Sequence, residues 1–183
     1  VGGLAGTGKS VLSRRRARVL GARLASSDVI RKELAGRPLE SRNPVPFGEG
    51  IYGPELTRAT YETLLARAGE SLGTGHSVVL DATFLDTSWR ERARDLARSR
   101  GADLLLIECR CPPEVVHHRL LYRAHEPGQV SEATWAIYQE QRAHYGETFT
   151  QVTGLPHIVV DTDRPSAEVL EDVLCRLSLR RRL

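Results

Sequence analysis

Residues 3–10, which read Gly-Leu-Ala-Gly-Thr-Gly-Lys-Ser, constrain the fold of this 183-residue chain more than any other feature. They match the pattern G-x-x-x-x-G-K-[ST] at all four fixed positions. Glycines let the backbone wrap around a phosphate, and successive N–H groups then form an anion-binding nest. The helix that follows adds its dipole, which also favours negative charge. The motif therefore predicts a phosphate-binding loop (P-loop) that follows a strand and opens a helix.

The P-loop also assigns roles to individual side chains. The ammonium of Lys9 is expected to reach the β- and γ-phosphates of ATP, and the hydroxyl of Ser10 is expected to ligate Mg²⁺. The predicted cofactors are therefore ATP and Mg²⁺. The residues predicted to hold the nucleotide are Gly3, Leu4, Ala5, Gly6, Thr7, Gly8, Lys9, Ser10 and Val11.

The start of the chain is unusual for a P-loop domain. Helical spacing of apolar residues begins at Ser10, as the motif requires, but only Val1 and Gly2 precede the loop. A strand usually has about 5–6 residues, and the chain contains no Met. We expect that the first strand is truncated at residue 1 and that the domain comes from a longer protein with a fused N-terminal neighbour.

The composition is that of an ordinary globular domain and limits the partners. Hydrophobic residues make up 40% and charged residues 27% of the chain, and the formal net charge is +3. No apolar run approaches the ~20 residues of a membrane span, so we expect no membrane partner. Aromatic residues make up 5%, which offers no stacking platform for single-stranded nucleic acid. Three cysteines without framework spacing favour a reducing, cytoplasmic location over a disulfide or zinc framework.

Apolar runs alternate with amphipathic stretches along the chain, which predicts an α/β domain with a mainly parallel sheet and helices on both faces. Residues 35–54 contain four prolines and four glycines and are predicted to form an irregular loop. The predicted strands are 22–26, 77–81, 103–109 and 156–160. The predicted helices begin at residue 10 and then span 29–34, 55–72, 88–100, 113–123, 131–149 and 166–179.

Two aspartates follow predicted strands. Asp81 ends the apolar run Val78-Val79-Leu80 and is predicted to hold Mg²⁺ together with Ser10, although a turn or helix-capping residue would look the same. Asp28 follows the strand 22–26, and the carboxyl ends of parallel strands share one ligand crevice. It is therefore predicted to accept the proton of an attacking hydroxyl, while also capping its own helix. Arg31, one turn later, is predicted to neutralise charge on the acceptor or on the phosphoryl group.

Arg119 and Arg123 lie four residues apart on one predicted helix face, directly before a Pro-Gly loop. Phosphoryl transfer spreads negative charge over the γ-oxygens, and arginines from a closing lid stabilise it. We predict a small helical lid over about 113–131 that carries both residues. The alternative is a solvated pair of surface arginines.

Several segments together resemble the zeta-toxin and polynucleotide-kinase-like P-loop kinases, a group often labelled "AAA domain". They include Ser-Asp-Val-Ile-Arg-Lys-Glu-Leu at 27–34 and Val-Leu-Asp-Ala-Thr-Phe at 79–84. The other segments are 3–10, 119–123 and 131–134. The likeness covers nearly the whole chain and is strongest to kinase-like domains fused behind an aminoglycoside-phosphotransferase-like domain in bacterial proteins.

The resemblance implies one P-loop NTPase domain over residues 1–183, a core of five parallel strands, and phosphoryl transfer from ATP–Mg²⁺ to a hydroxyl. It is not a resemblance to ring-forming AAA+ ATPases, which need a further helical subdomain. By position it implies catalytic roles for Lys9, Asp28, Arg31, Arg119 and Arg123.

Three functions remain open at the level of the sequence. The first is an ATP-dependent kinase whose acceptor is the hydroxyl of a small metabolite. The second is a nucleotide-binding or ATP-hydrolysing module that regulates a fused partner domain. The third is a kinase of nucleic-acid 5′-hydroxyl groups, which would need a basic channel. Asp28 with Arg31 favours the first, because a pure switch needs no carboxylate on the acceptor side.

Overall fold

Short parallel strands and seven helices form the part of the chain that the computed structural model describes, residues 1–41, 46, 48–125, 130–145 and 155–180. The strands are β1 (Arg23–Ser26), β2 (Val78–Asp81), β3 (Leu106–Arg110) and β4 (His157–Asp161). The helices are α1 (Lys9–Leu20), α2 (Ser27–Leu34), α3 (Pro54–Gly73), α4 (Thr87–Ser99), α5 (Pro113–His125), α6 (Trp135–Tyr145) and α7 (Ser166–Arg180). A 3₁₀ turn, Gly50–Tyr52, precedes α3.

The strands form two parallel pairs, β1 with β2 and β3 with β4. Residues 1–3 lie between the pairs, because the Val1 amino group donates to the Leu80 carbonyl (2.8 Å) and the Gly2 N–H donates to the Ile107 carbonyl (2.7 Å). The Cys109 N–H in turn donates to the Gly2 carbonyl (2.9 Å). This arrangement confirms a parallel α/β core, while the fifth strand stays a prediction, since residues 1–3 form only an isolated bridge.

Helices cover both faces of these strands, as the apolar character of the strands on both sides requires. On one face, α2, α3 and α4 pack a cluster that includes Ile30, Leu64, Phe84 and Trp89. On the other face, α1 and α7 pack a second cluster that includes Leu12 and Val173. The phosphate-binding loop therefore begins at the centre of the core, between two helical layers.

A third apolar cluster joins the predicted lid to the loop. Val116 and Leu120 of α5 pack with Ile137 and Tyr138 of α6 and with Ala5 of the loop. Of the predicted lid at 113–131, residues 126–129 lie outside the described part of the chain. The helix predicted over 113–123 is present as α5, while its assignment as a lid and its closing motion stay predictions.

Two helix starts differ from the sequence prediction. α2 begins at Ser27, two residues earlier than predicted, so Asp28 lies in its first turn and is not its N-cap. α6 begins at Trp135 and not at Ser131, because the Ile137 N–H donates to the Thr134 hydroxyl (3.3 Å), which makes Thr134 the cap. The predicted end of that helix at 149 lies outside the described residues.

Strand β3 begins at Leu106, three residues later than predicted, because its pairing with β4 starts only at His157. The other helix and strand limits agree with the prediction to within two residues. Of the helices in the described ranges, none combines the length and the apolar character that crossing a membrane requires.

Candidate functional site

The loop at 3–10 has the backbone that its glycines predicted. Gly3, Gly6 and Gly8 have φ angles of 130°, 75° and 85°, a region that other residues rarely adopt. A Cβ atom at Gly6 would lie 2.7 Å from the Val116 side chain, so α5 presses directly on the loop. The loop opens α1 at Lys9, which confirms the prediction that it starts a helix.

Lys9 and Asp81 line the same cleft and affect each other electrostatically. The Lys9 ammonium donates to the Leu4 carbonyl (2.7 Å). Burial lowers the pKa of Lys9, while the carboxylates of Asp81 and Asp28 oppose that change. Burial raises the pKa of Asp81, and Lys9 and the Ser10 hydroxyl act against the increase. The buried carboxylate thus lies next to a cation and a hydroxyl, and further positive charge would stabilise its ionised form.

One cleft brings together the loop and the predicted base. Its described lining includes Lys9, Ser10, Asp28, Asp81 and Arg123. Asp28 is delivered by the first turn of α2, directly after β1, and Asp81 by the last position of the neighbouring strand β2. The register pairs Ser26 with Asp81, so the two carboxylates leave the same edge of the strand pair.

Not every predicted nucleotide-binding residue faces open space. Ala5, Gly6, Gly8, Lys9 and Ser10 line the cleft, and Gly6, Gly8 and Val11 line a second cavity. The remaining three residues, Gly3, Leu4 and Thr7, line neither of these spaces. The Gly3 N–H donates to the Thr83 carbonyl, and the Leu4 carbonyl accepts from the Thr7 hydroxyl, so these residues brace the loop from behind.

The second cavity, of about 520 Å³, lies on the other side of the loop. Its lining includes Val11, His118, Arg119, Tyr122 and Arg123. A volume of this size falls in the range of small-molecule pockets, about 300–1,000 Å³. The two spaces share Gly6, Gly8 and Arg123, so a ligand in the cavity can reach the cleft along the loop.

The two predicted lid arginines have different surroundings. Arg119 donates to the Thr162 carbonyl (2.7 Å) and lies 3.3 Å from both the Thr162 hydroxyl and the Cys111 sulfur. It lines only the second cavity, whereas Arg123 lines both spaces. The structure therefore places Arg123 with the predicted catalytic group and places Arg119 at the wall of the second cavity.

Arg31 does not line the cleft. Its guanidinium donates to the Ile51 carbonyl (2.8 Å) and to the Thr57 hydroxyl (3.0 Å) and lies over the ring of Tyr52. Only 6% of Arg31 is exposed. The predicted direct contact of Arg31 with an acceptor stays a prediction; in this structure Arg31 supports Tyr52, which does line the cleft.

Three residues that the sequence prediction missed contact the loop or the cleft. The side-chain carbonyl of Gln141, in α6, accepts a hydrogen bond from the Ala5 N–H (2.8 Å). The Thr162 hydroxyl, after β4, lies 2.9 Å from the Thr7 carbonyl. Tyr52 lines the cleft, and burial raises the pKa of its phenol, with the Asp28 carboxylate adding to the increase. No local motif marks these residues, because only the fold brings them to the loop.

Among the described residues, no group of three or more His, Cys, Asp or Glu side chains forms a metal site, and Cys109 and Cys111 are free thiols. Asp81 and Ser10 both line the cleft, and they remain the pair predicted to hold a cation near the loop. Mg²⁺ is commonly held by one or two carboxylates together with the phosphates of its nucleotide, so two protein groups are sufficient.

Comparison with known proteins gives one family and several relatives. The family model described as "AAA domain" matches residues 1–148. Uncharacterized proteins of Mycobacterium bovis and Mycobacterium tuberculosis are 36% identical over 137 residues, which are 75% of this chain and 27% of theirs. The chain thus spans about a quarter of the length of these relatives.

Solved structures show the same fold at low identity. A sugar kinase from Janibacter aligns with a TM-score of 0.68 at 18% identity, over 96% of this chain and 91% of its own. A gluconokinase from Sinorhizobium meliloti aligns with a TM-score of 0.61 at 22% identity, over 97% and 89%. The Mycobacterium tuberculosis APS kinase, in complex with AMPPNP and APS, gives 0.61 at 22%, over 97% and 94%. These likenesses show the fold.

Proposed function

The chain belongs to the AAA domain family, and from this premise we propose that it is an ATP-dependent kinase whose acceptor is the hydroxyl group of a small metabolite. The observation that carries the proposal is the cleft in which Asp28 faces the loop residues Lys9 and Ser10. A module that only switches between nucleotide states needs no carboxylate on the acceptor side of its phosphate loop. The structural relatives include a sugar kinase, a gluconokinase and an APS kinase, and these names support the same reaction type.

The nucleotide would lie along the loop. We propose that the second cavity takes the nucleoside, with Arg119 at its wall, and that the phosphates pass Gly6 and Gly8 into the cleft. Backbone N–H groups of the loop and the Lys9 ammonium would hold the β- and γ-phosphates. Arg123, which lines both spaces, is then at the position where the transferred charge develops.

Asp28 would act on the acceptor. Its carboxylate orients the acceptor hydroxyl and accepts its proton as the hydroxyl oxygen forms a bond to the γ-phosphorus. The bond between that phosphorus and the bridging oxygen breaks, and ADP leaves with the bonding electron pair. Lys9 and Arg123 stabilise the charge that spreads over the γ-oxygens.

Ser10 and Asp81 are the residues that would hold Mg²⁺. The fit rests on the buried carboxylate of Asp81, 5% exposed, whose pKa burial raises and which therefore gains from a nearby cation. When bound, the ion neutralises phosphate charge and holds the phosphate oxygens in a fixed geometry.

The finer family resemblance belongs to the same proposal. It includes membership of the zeta-toxin and polynucleotide-kinase-like group. A cytoplasmic location is consistent with the free thiols of Cys109 and Cys111. Fusion to an N-terminal domain is consistent with the greater length of the relatives. The alternative of a regulatory ATPase predicts hydrolysis that no acceptor stimulates. The alternative of a 5′-hydroxyl nucleic-acid kinase predicts transfer to an oligonucleotide only.

The test is a transfer screen. The domain is incubated with γ-labelled ATP and Mg²⁺ in the presence of sugars, polyols, nucleosides, nucleotide sugars, aminoglycosides and a 5′-hydroxyl oligonucleotide. We expect label in a small hydroxyl compound with the natural chain and none with Lys9→Ala. Release of inorganic phosphate that no acceptor diverts would contradict transfer and favour the regulatory module.

A further inference from the structure

We propose that the acceptor is a hydroxyl compound without an acid group, namely a sugar, a polyol or a nucleoside rather than a sugar acid or a phosphate ester. The proposal rests on the proposed kinase function and narrows its substrate. Two observations support it. The first is the set of charges that the described part of the cleft presents to the acceptor. The second is that Arg31 and Lys32, the basic residues closest to Asp28 in the chain, do not line the cleft.

On the wall opposite the loop, Asp28 is the charged residue among those that the structure describes, while Asp81 lies on the side of Ser10. The polar residues of this wall are Ser27, Tyr52, Thr83, Ser131 and Gln141. The Thr83 hydroxyl shares a hydrogen bond with Tyr61 (3.1 Å), and the Gln141 carbonyl accepts from the Ala5 N–H. The apolar groups of the wall are small or branched: Ala82, Ala133 and Ile137. Hydroxyls that donate and accept, beside short apolar surfaces, match the alternating C–H and O–H groups of a sugar or polyol.

The two basic residues that follow Asp28 in α2 point away from this wall. Arg31 donates to Ile51 and Thr57, as described above. The Lys32 ammonium donates to the carbonyls of Leu39 (2.8 Å) and Ser41 (2.6 Å) and lies 3.6 Å from Glu132. Lys32 is 1% exposed, and neither cation lines the cleft. The sequence Asp-Val-Ile-Arg-Lys therefore places one negative charge in the cleft and buries both positive charges behind it.

The cations that do line the cleft lie on its phosphate side. Lys9 belongs to the loop, and Arg123 lies where the cleft meets the second cavity, beside Gly6 and Gly8. The negative charge of the ATP triphosphate is sufficient to pair with both cations, Lys9 and Arg123. An acid group on the acceptor would then face Asp28 with no cation from the described wall to pair with it.

The physical consequence is discrimination against acids. Juxtaposing like charges in an interface costs several kcal/mol, and burying an unpaired carboxylate or phosphate adds a desolvation cost. A neutral compound of the same shape meets neither the repulsion from Asp28 nor the desolvation cost of an unpaired anion. Each tenfold ratio of rates corresponds to about 1.4 kcal/mol, so we expect a neutral compound to be preferred by about 100-fold or more.

The experiment compares matched pairs that differ in one acid group: glucitol with gluconate, and adenosine with adenosine 3′-monophosphate, which keeps the 5′-hydroxyl free. For each, kcat/KM is measured with saturating ATP–Mg²⁺, and binding is measured by thermal shift with a non-hydrolysable ATP analogue. We expect the neutral member of at least one pair to be phosphorylated about 100-fold more efficiently and to give the larger thermal shift. Equal efficiency, or preference for the acid, would overturn the proposal.

A charge placed on the wall sharpens the test. Ser131→Arg would put a guanidinium beside the acceptor, and Ser131→Gln is the matched control of similar length without charge. We expect Ser131→Arg to reduce the preference for the neutral member by about tenfold or more, and Ser131→Gln to leave the ratio within about twofold. An unchanged ratio in a folded Ser131→Arg variant would contradict the proposal.

The outcomes separate this inference from the proposed function. Transfer to the acid members alone would keep the kinase and remove the neutral acceptor class. ATP hydrolysis without transfer, and without a thermal shift from either member of any pair, would overturn both.

Discussion

The phosphate side and the acceptor side of the cleft are built in different ways. The phosphate side is one continuous stretch, residues 3–10, whose shape follows from glycines with positive φ and whose cation is part of the same motif. The acceptor side is assembled from α2, the 3₁₀ turn, residues 82 and 83 after β2, and residues 131–141. Local sequence determines the first, and tertiary contacts determine the second.

Because the two sides of the cleft are built differently, substitutions in them are expected to have different effects on the reaction. A substitution in the loop acts on the backbone that holds phosphate, so it alters every reaction of the site. A substitution in the acceptor wall changes one of several side chains that line the acceptor site and leaves the loop intact. Acceptor specificity can therefore change while the phosphate-binding loop stays the same.

The largest expected effect is on the phosphate side. Lys9→Ala removes the ammonium that we propose holds the β- and γ-phosphates, and we expect kcat/KM to fall by about 1,000-fold or more. The measurement is a labelled-ATP transfer assay with the acceptor found in the screen. The control is Arg14→Ala, an exposed position of the same helix, which should stay within about twofold. If Lys9→Ala kept the natural transfer rate, the proposed role of the loop lysine on the phosphate side would be wrong.

Substitutions of Arg119 and Arg123 in α5 test whether different residues carry nucleotide binding and stabilisation of the transferred charge. Arg123→Ala should lower kcat by about 100-fold and change ATP affinity by less than about threefold, because we propose that Arg123, which lines both spaces, stabilises the charge of the transferred phosphoryl group. Arg119→Ala should do the reverse, weakening ATP binding more than kcat, because Arg119 lines only the second cavity. Titration calorimetry with an ATP analogue gives the affinities. Equal losses of affinity and rate in both variants would contradict this division.

Gln141 is the contact through which the acceptor wall reaches the loop. Gln141→Ala removes the oxygen that accepts from the Ala5 N–H, a contact of about 1 kcal/mol. We therefore expect kcat/KM to fall by about tenfold at most, with both ATP and acceptor parameters affected. Gln139→Ala, on the exposed face of the same helix, is the control. An effect confined to the acceptor KM would show that Gln141 acts on the acceptor and not on the loop.

The smallest expected effect on chemistry belongs to Arg31. Arg31→Met leaves the buried Ile51 carbonyl without its donor, and we expect a loss of about 1–3 kcal/mol in the free energy of unfolding. Arg58→Met, an exposed arginine paired with Glu62, should change stability by less than about 0.5 kcal/mol. Urea unfolding measures both. A stable Arg31→Met variant with a large loss in acceptor KM would instead support the direct acceptor contact predicted from sequence.

Much of the phosphate side was predictable from sequence, and less of the acceptor side. The loop, its helix and the position of Asp81 at the end of β2 follow from motif and periodicity, because neighbouring residues determine them. On the acceptor side, the position of Asp28 shortly after β1 follows in the same way. The direction of Arg31 did not follow, since it depends on where the 3₁₀ turn places the Ile51 carbonyl. Gln141 was missed for the same reason: 136 residues separate it from Ala5, and an ordinary helical glutamine carries no signal.

The central claim is that Asp28 serves the acceptor and not the nucleotide, and Asp28→Asn tests it most directly. The amide keeps the shape of the side chain but cannot accept the proton. We expect turnover to fall by about 100-fold to 10,000-fold, with ATP affinity unchanged within about twofold. The control is Asp95→Asn, an exposed aspartate of α4. Unaltered turnover in Asp28→Asn, or a loss of ATP affinity as large as the loss of turnover, would contradict the account.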